Sequence, residues 1–135
     1  MKTQAAAAAA LLLLAACSKS GGGGGETQDK YAGLDQAILK WRTDIVATDP
    51  LCVGAPAESK CQNFAVSCKV EQPLAADDAA HGVTARALAA ITWSGYDQKL
   101  KQAQDGAQAA AFAKGPGGWT RATHKPVNMD SCAEL

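Results

Sequence analysis

The chain is poor in aromatic residues and in histidine, with three Trp, two Tyr, two Phe and two His among 135 residues. So few large side chains allow only a modest core, which makes cross-links valuable. A net charge is also missing, since 13 Lys and Arg stand against 13 Asp and Glu. Without a cationic surplus there is no electrostatic footprint for nucleic acid, whose phosphates are held by clustered Lys and Arg, so nucleic acid is not expected as a partner. No apolar run reaches the roughly 20 residues that a membrane-spanning helix needs. No Cys-x-x-Cys pair occurs, six residues separate Cys61 from Cys68, and the two histidines are far apart, so the ligand spacing of tetrahedral zinc is absent. No metal and no cofactor are expected, and there is no internal repeat.

What is present begins at the N-terminus. Met1, Lys2, Thr3 and Gln4 form a short segment with one cation, and Ala5 to Ala16 follow without a charge. About twelve apolar residues match the core of an export signal and are too short to cross a bilayer. The run ends in Leu14, Ala15, Ala16 and Cys17, which resembles the bacterial lipobox: Leu, two small residues and an invariant Cys. The resemblance implies that residues 1–16 are a cleaved signal peptide. It also implies that the Cys17 sulfur carries diacylglycerol and that the new amine accepts a further acyl chain such as palmitate. A thioether requires a thiol, and small residues before it let the scissile backbone enter the peptidase. One acyl chain binds membranes marginally, at roughly 0.8 kcal/mol per methylene, whereas two or three hold stably. Ser18, in place of the Asp that retains enterobacterial lipoproteins at the inner membrane, implies the periplasmic face of the outer membrane. Cleavage removes Lys2 and leaves the mature chain near a charge of −1.

Residues 17–28 comprise the lipidated Cys17 and a tract containing five consecutive glycines, Gly21 to Gly25. Such a composition is a flexible linker, with a mean reach of about 20 Å for roughly eleven residues. It is either a leash that lets the domain face away from the membrane or a plain solvated spacer.

Residues 29–135 suit one small periplasmic domain. In addition to Cys17 it has Cys52, Cys61, Cys68 and Cys132. An even number of cysteines in an exported chain indicates disulfides. Of the three possible pairings, Cys52 with Cys61 and Cys68 with Cys132 is favoured. The first closes a loop containing Gly54, Pro56 and Ser59, and the second pins the tail to a strand. The chain-entropy account assigns about 3 and about 4 kcal/mol to these closures.

Leu34, Ile38, Trp41 and Ile45 recur at four, three and four residues, predicting an amphipathic helix from Asp29 to Thr48 that stops before Pro50. From Phe64 the period becomes two. Phe64, Val66, Cys68 and Val70 are expected on an inner face, with Ala65, Ser67, Lys69 and Glu71 on the outer one. A second strand is expected over Val83–Trp93, its odd-numbered residues inward, although the segment is alanine-rich enough to be helical instead. Gly115–Gly118 marks a turn between strands over Ala107–Lys114 and Trp119–Lys125, across which Phe112 and Trp119 would pack on one face. Asp97 to Gly106 reads either as strand extension or as a connecting turn. The expected fold is α+β: one N-terminal helix packed on a four-stranded antiparallel sheet, stabilised by disulfides. Its element order resembles cystatin-like and NTF2-like domains, a resemblance that assigns no functional residue.

Asp77, Asp78 and His81 form an acid–base pair, a weak cation site or only a solvated turn. The alternating oxygen ligands of a calcium loop are missing there. His124 precedes Lys125 and Pro126, and no nucleophile sits in a recognisable elbow, so no catalytic residue is assigned. Ser94, Gly95 and Tyr96 resemble the Ser-Gly-x-x-Tyr motif of membrane-bound lysozyme inhibitors, except that Tyr96 follows Gly95 directly. With that spacing, Trp93 and Tyr96 can equally serve the core or a strand end.

Three functions remain in view. The first is a membrane-anchored, non-enzymatic module that binds a protein of the envelope, including inhibitors and immunity proteins. The second is an accessory subunit in envelope assembly, and the third an enzyme built around His81, His124 or paired acids.

Overall fold

The computed structural model describes residues 30–135. The expected signal peptide, Cys17 and the glycine tract lie outside the described residues.

The apolar stripe forms helix α1, Leu34–Thr48, with Leu34, Ile38, Trp41 and Ile45 all buried. The helix starts later than Asp29 because Lys30 to Gly33 form a turn in which Gly33 takes φ +86°. Only glycine adopts that angle without strain. At the other end Asp49, extended as a residue before proline must be, closes α1 by donating its N–H to the Ile45 carbonyl.

Four strands follow, β1 (Gln62–Gln72), β2 (Ala85–Asp97), β3 (Gln102–Gly115) and β4 (Gly118–His124). They form one antiparallel sheet in chain order, β1-β2-β3-β4. The Asp97–Gly106 segment is both of its alternatives. β2 runs to Asp97, a tight turn reverses the chain, and β3 begins at Gln102. Val83 and Thr84 belong to the preceding loop, Val83 donating to the Asp78 carbonyl and Thr84 to that of Lys114.

α1 covers one face of the sheet. Ala87 and Ala89 of β2 point at it together with Ile91 and Trp93, and β3 adds Ala110 and Phe112. The small alanines give the helix room, and Trp41 meets Phe112 edge-on at 5.8 Å. Phe112 and Trp119 do lie on this same face, but each has another ring partner. Trp119 stacks on Tyr31 at 6.2 Å and donates its indole N–H to the Ala32 carbonyl. Trp93 lies between Phe64, stacked on it at 5.8 Å, and Gly106, where an added Cβ would come within 2.2 Å of the indole.

β1 departs from the expected alternation, and the departure matters. Val66 pairs with Ile91 while Cys68 pairs with the adjacent Ala90, so Ser67 is an extra residue bulged out of the ladder. A second extra residue lies between Gln62 and Ala65, where Asn63 takes φ 57°. A bulge reverses which residues face which side. Phe64 and Val66 therefore face α1, whereas Cys68 and Val70 face the opposite side. The expected inner position of Cys68 is corrected accordingly. Lys69 and Glu71, expected to face solvent, lie on the helix side, where Lys69 pairs with Asp35 at 3.1 Å and Glu71 with Lys30.

The opposite face is buried as well. Leu88 and Ala90 of β2 and Ala109 of β3 are covered by the C-terminal tail through Val127, Met129 and Cys132. The tail folds on itself, Cys132 donating to the Asn128 carbonyl and Asn128 to that of Ala133, both at 2.8 Å. Cys68–Cys132 fixes it to β1. The second bridge is Cys52–Cys61, so both favoured pairings are present.

Replacing Cys68 and Cys132 together by Ser should cost about 4 kcal/mol from loop closure alone. Urea unfolding measures that loss. Hydrogen exchange should show protection disappearing from Cys132 and Asn128 while the α1 amides keep theirs at low denaturant.

Candidate functional site

The polypeptide enters the described fold at one pole of the sheet. Lys30 lies beside Glu71 at the end of β1, and Lys114 at the end of β3 donates to its carbonyl. α1 then runs along the sheet for about 22 Å, at 1.5 Å per residue, to the other pole. There the end of α1, the loop closed by Cys52–Cys61 and the β2–β3 turn surround an open cleft of about 780 Å³. Ala47, Pro50, Leu51 and Val53 supply apolar lining, and Asp97, Gln98 and Lys99 form the polar side.

This pole is held by polar contacts as well as by the disulfide. Asp49 accepts from the Leu51 N–H at 2.9 Å through one carboxylate oxygen and from Gln108 Nε2 at 3.1 Å through the other. Gln108 Oε1 in turn accepts from the Trp41 indole at 3.3 Å. The loop is thereby joined to β3 and to the core. Leu51 O accepts from the Tyr96 N–H and Val53 O from Gln98 Nε2, tying the loop to the hairpin. Asp97 Oδ1 accepts from the N–H groups of Lys99 and Leu100, so the turn is capped from within. Leu100 at its tip is 62% exposed and Val53 beside the cleft 48%.

The Ser94-Gly95-Tyr96 segment lies inside β2, paired with β3 through Asp105, Gln104 and Ala103. Gly95 is needed for close approach, because a Cβ there would lie 2.7 Å from that of Leu51 and 3.4 Å from the Cys61 sulfur. Trp93 is core. Ser94 donates to Asp105 at 3.2 Å, with Asn63 on its other side. No histidine adjoins them among the described hydrogen bonds.

Asp77, Asp78 and His81 do not converge on one site. His81 Nδ1 sits 2.9 Å from the Asp77 carbonyl oxygen, and its ring is exposed. Asp78 is instead buried, and Arg86 grips it with two nitrogens at 2.5 Å while the Ala75 N–H donates at 2.6 Å. The Arg86 hydrogen bonds hold the Asp78 carboxyl below its usual range, outweighing the opposing effect of burial. Asp78 is a clasp for the β1–β2 loop. His124 Nδ1 lies 2.8 Å from the Lys125 carbonyl oxygen, beside a cleft under the tail. Among the described residues no three His, Cys, Asp or Glu side chains gather as metal ligands, and no helix is long and apolar enough to cross a membrane.

Asp49, Gln98 and Gln108 were not singled out by sequence. Asp49-Pro50 after a helical stripe is a turn signal from which the first of them could have been found. The two glutamines act across long sequence separations and leave no local mark. No protein-family model, curated protein or solved structure matches the chain.

Two outcomes follow from this geometry. Gly95→Ala should push the Leu51 backbone off β2 and cost roughly 1–3 kcal/mol by overpacking. In hydrogen exchange the Tyr96 amide should open before its β2 neighbours. Because the folded-state pKa of Asp78 is depressed, its contribution is complete above the unfolded value of about 3.9 and fades as pH falls through the lower folded value. Asp78→Asn should therefore destabilise the protein at pH 7, and its deficit should shrink below about pH 4, as read from urea midpoints across a pH series.

Proposed function

We propose that the chain is an envelope lipoprotein, anchored through Cys17, whose folded part is a non-enzymatic module that binds a protein at the pole carrying the large cleft. The observation that carries this reading is the arrangement of the two poles. The chain enters the fold beside Glu71 and Lys114, and the preorganised cleft lies at the far end of α1. A lipid upstream of Lys30 would tether the protein nearer the first pole and leave the second, at the far end of α1, free to meet a partner.

The character of the cleft supports binding over catalysis. Its carboxylate Asp97 caps a turn, its glutamine holds a carbonyl, and neither histidine lines it. An apolar concavity with a few polar groups held by hydrogen bonds is what recognition requires. Two disulfides suit an oxidising compartment. The lipobox-like Leu14–Cys17 and Ser18 support the periplasmic face of the outer membrane.

Intact mass of the protein purified from membranes should correspond to a chain beginning at Cys17 plus its acyl groups. Labelled palmitate should be incorporated, and Cys17→Ala should abolish both incorporation and membrane retention. A soluble, unacylated wild-type protein would end the lipoprotein reading.

A further inference from the structure

The two edges of β3 are not equally used, because β3 has 14 residues and β4 only 7. On one side β2 pairs with β3 from Gln102 to Lys114. On the other, β4 pairs only from Ala109 to Gly115. The chain leaves that edge after His124, since Pro126 has no N–H to give a ladder and Val127 is drawn into the core under the tail. Among the described residues no backbone group bonds to residues 102–108 from this side. They form an open edge about 23 Å long, at roughly 3.3 Å per residue, and every second residue points its N–H and C=O outward. The edge has no Pro, no Lys and no bulge, the usual means of closing one.

Two features border it on the tail side of the sheet. Ala109 packs under the tail, so Asp105 and Ala107, at even spacing from it along a strand without a bulge, face the same way. Beside Ala107 a pocket of about 250 Å³ opens between β3, the end of β4 and the tail residues Pro126, Val127 and Met129. Asp105 accepts from Ser94, and the shallow cleft around it is otherwise lined by Asn63, Thr92 and Trp93, without a cation. Asp105 is also the one charged residue in 102–108.

From this we infer that the open edge of β3 takes up an extended strand of a partner protein, with an apolar side chain seated in the pocket beside Ala107 and a Lys or Arg opposite Asp105. This rests on the binding-module reading and specifies how the partner is held, since the edge starts at the turn that walls the large cleft. A row of unpaired backbone donors and acceptors is matched by another extended backbone, the main chain giving affinity and the pocket selecting a side chain. A second copy of this chain fits poorly. Antiparallel pairing of the edge with itself over its full length would set two Asp105 carboxylates against each other, and like charges directly opposite are unfavourable. The chain's own N-terminal part enters at the other end of β3, beside Lys114.

The test is selection of a random displayed peptide library on the full chain in detergent, followed by hydrogen exchange of the free and peptide-bound protein. In the free protein alternate amides of residues 102–108 should exchange fast. Selected peptides should protect those amides, shift Val127 and Met129, and carry Leu, Ile, Val or Phe two positions from Lys or Arg. Methylating alternate backbone nitrogens of a selected peptide should weaken it about ten-fold or more, because ladder donors are lost while the protein is untouched. Ala107→Lys, at an exposed edge position, should weaken binding about ten-fold, whereas Val53→Lys in the large cleft should not. Peptides sensitive to Val53→Lys and indifferent to Ala107→Lys would overturn strand addition and leave the module standing. Protection of residues 102–108 in the free monomer would mean that this chain fills its own edge, and protection that grows with protein concentration alone would mean a second copy does. Either result overturns the inference, and so do bound strands without a basic residue. A library that yields no binder would overturn both this inference and the binding-module reading.

Discussion

One helix can dry only one face of a four-stranded sheet, and in this protein both faces need drying. The tail that covers the second face brings Val127, Met129 and Cys132 to it. Three such residues are too few to offset the chain entropy of ordering a terminus by apolar burial alone. The Cys68–Cys132 bond changes that balance by confining the unfolded chain. The bond exists only because Ser67 bulges out of β1 and turns Cys68 away from α1. The same reversal turns Lys69 and Glu71 to the helix side of the sheet, where their exposed charges meet Asp35 and Lys30. A single inserted residue thus decides which side of β1 is covalent and which side is ionic.

That dependence explains what could be read from the residues and what could not. The stripe Leu34, Ile38, Trp41 and Ile45 encodes α1 because helical period and burial coincide in a local segment. The turn at Gly115–Gly118 and the odd-numbered face of β2 are equally local. A bulge has no such signature, since Phe64, Val66, Cys68 and Val70 alternate perfectly while the backbone does not. Leu88 and Ala90 were also informative in retrospect. An apolar residue at nearly every position of Ala85–Trp93 means burial on both faces. The second cover is a tail without regular structure, so nothing periodic announced it.

The candidate site was the least legible part. It is assembled from the end of a helix, a disulfide loop and a hairpin turn, and its coherence lies in contacts such as Gln98 to Val53 and Gln108 to Asp49, made across 45 and 59 residues. The cysteine spacing located the loop but not what it leans on. Asp77, Asp78 and His81 show the reverse case. Their clustering in sequence suggested chemistry, and the fold separates them into two exposed side chains and one buried clasp.

The irregularities of β1 have a consequence for crowding. A straight outermost strand of eleven residues offers a template on which another chain can add its own strand. Molecules confined to two dimensions by a lipid would meet side by side far more often than in free solution. Two bulges and the Lys69 and Glu71 side chains break the continuous ladder such pairing needs, and at the far border β4 is only seven residues long. The inserted residue that lets the tail be fastened therefore also helps keep neighbouring copies from zipping into a common sheet, a protection that the proposed lipid anchor would make more valuable.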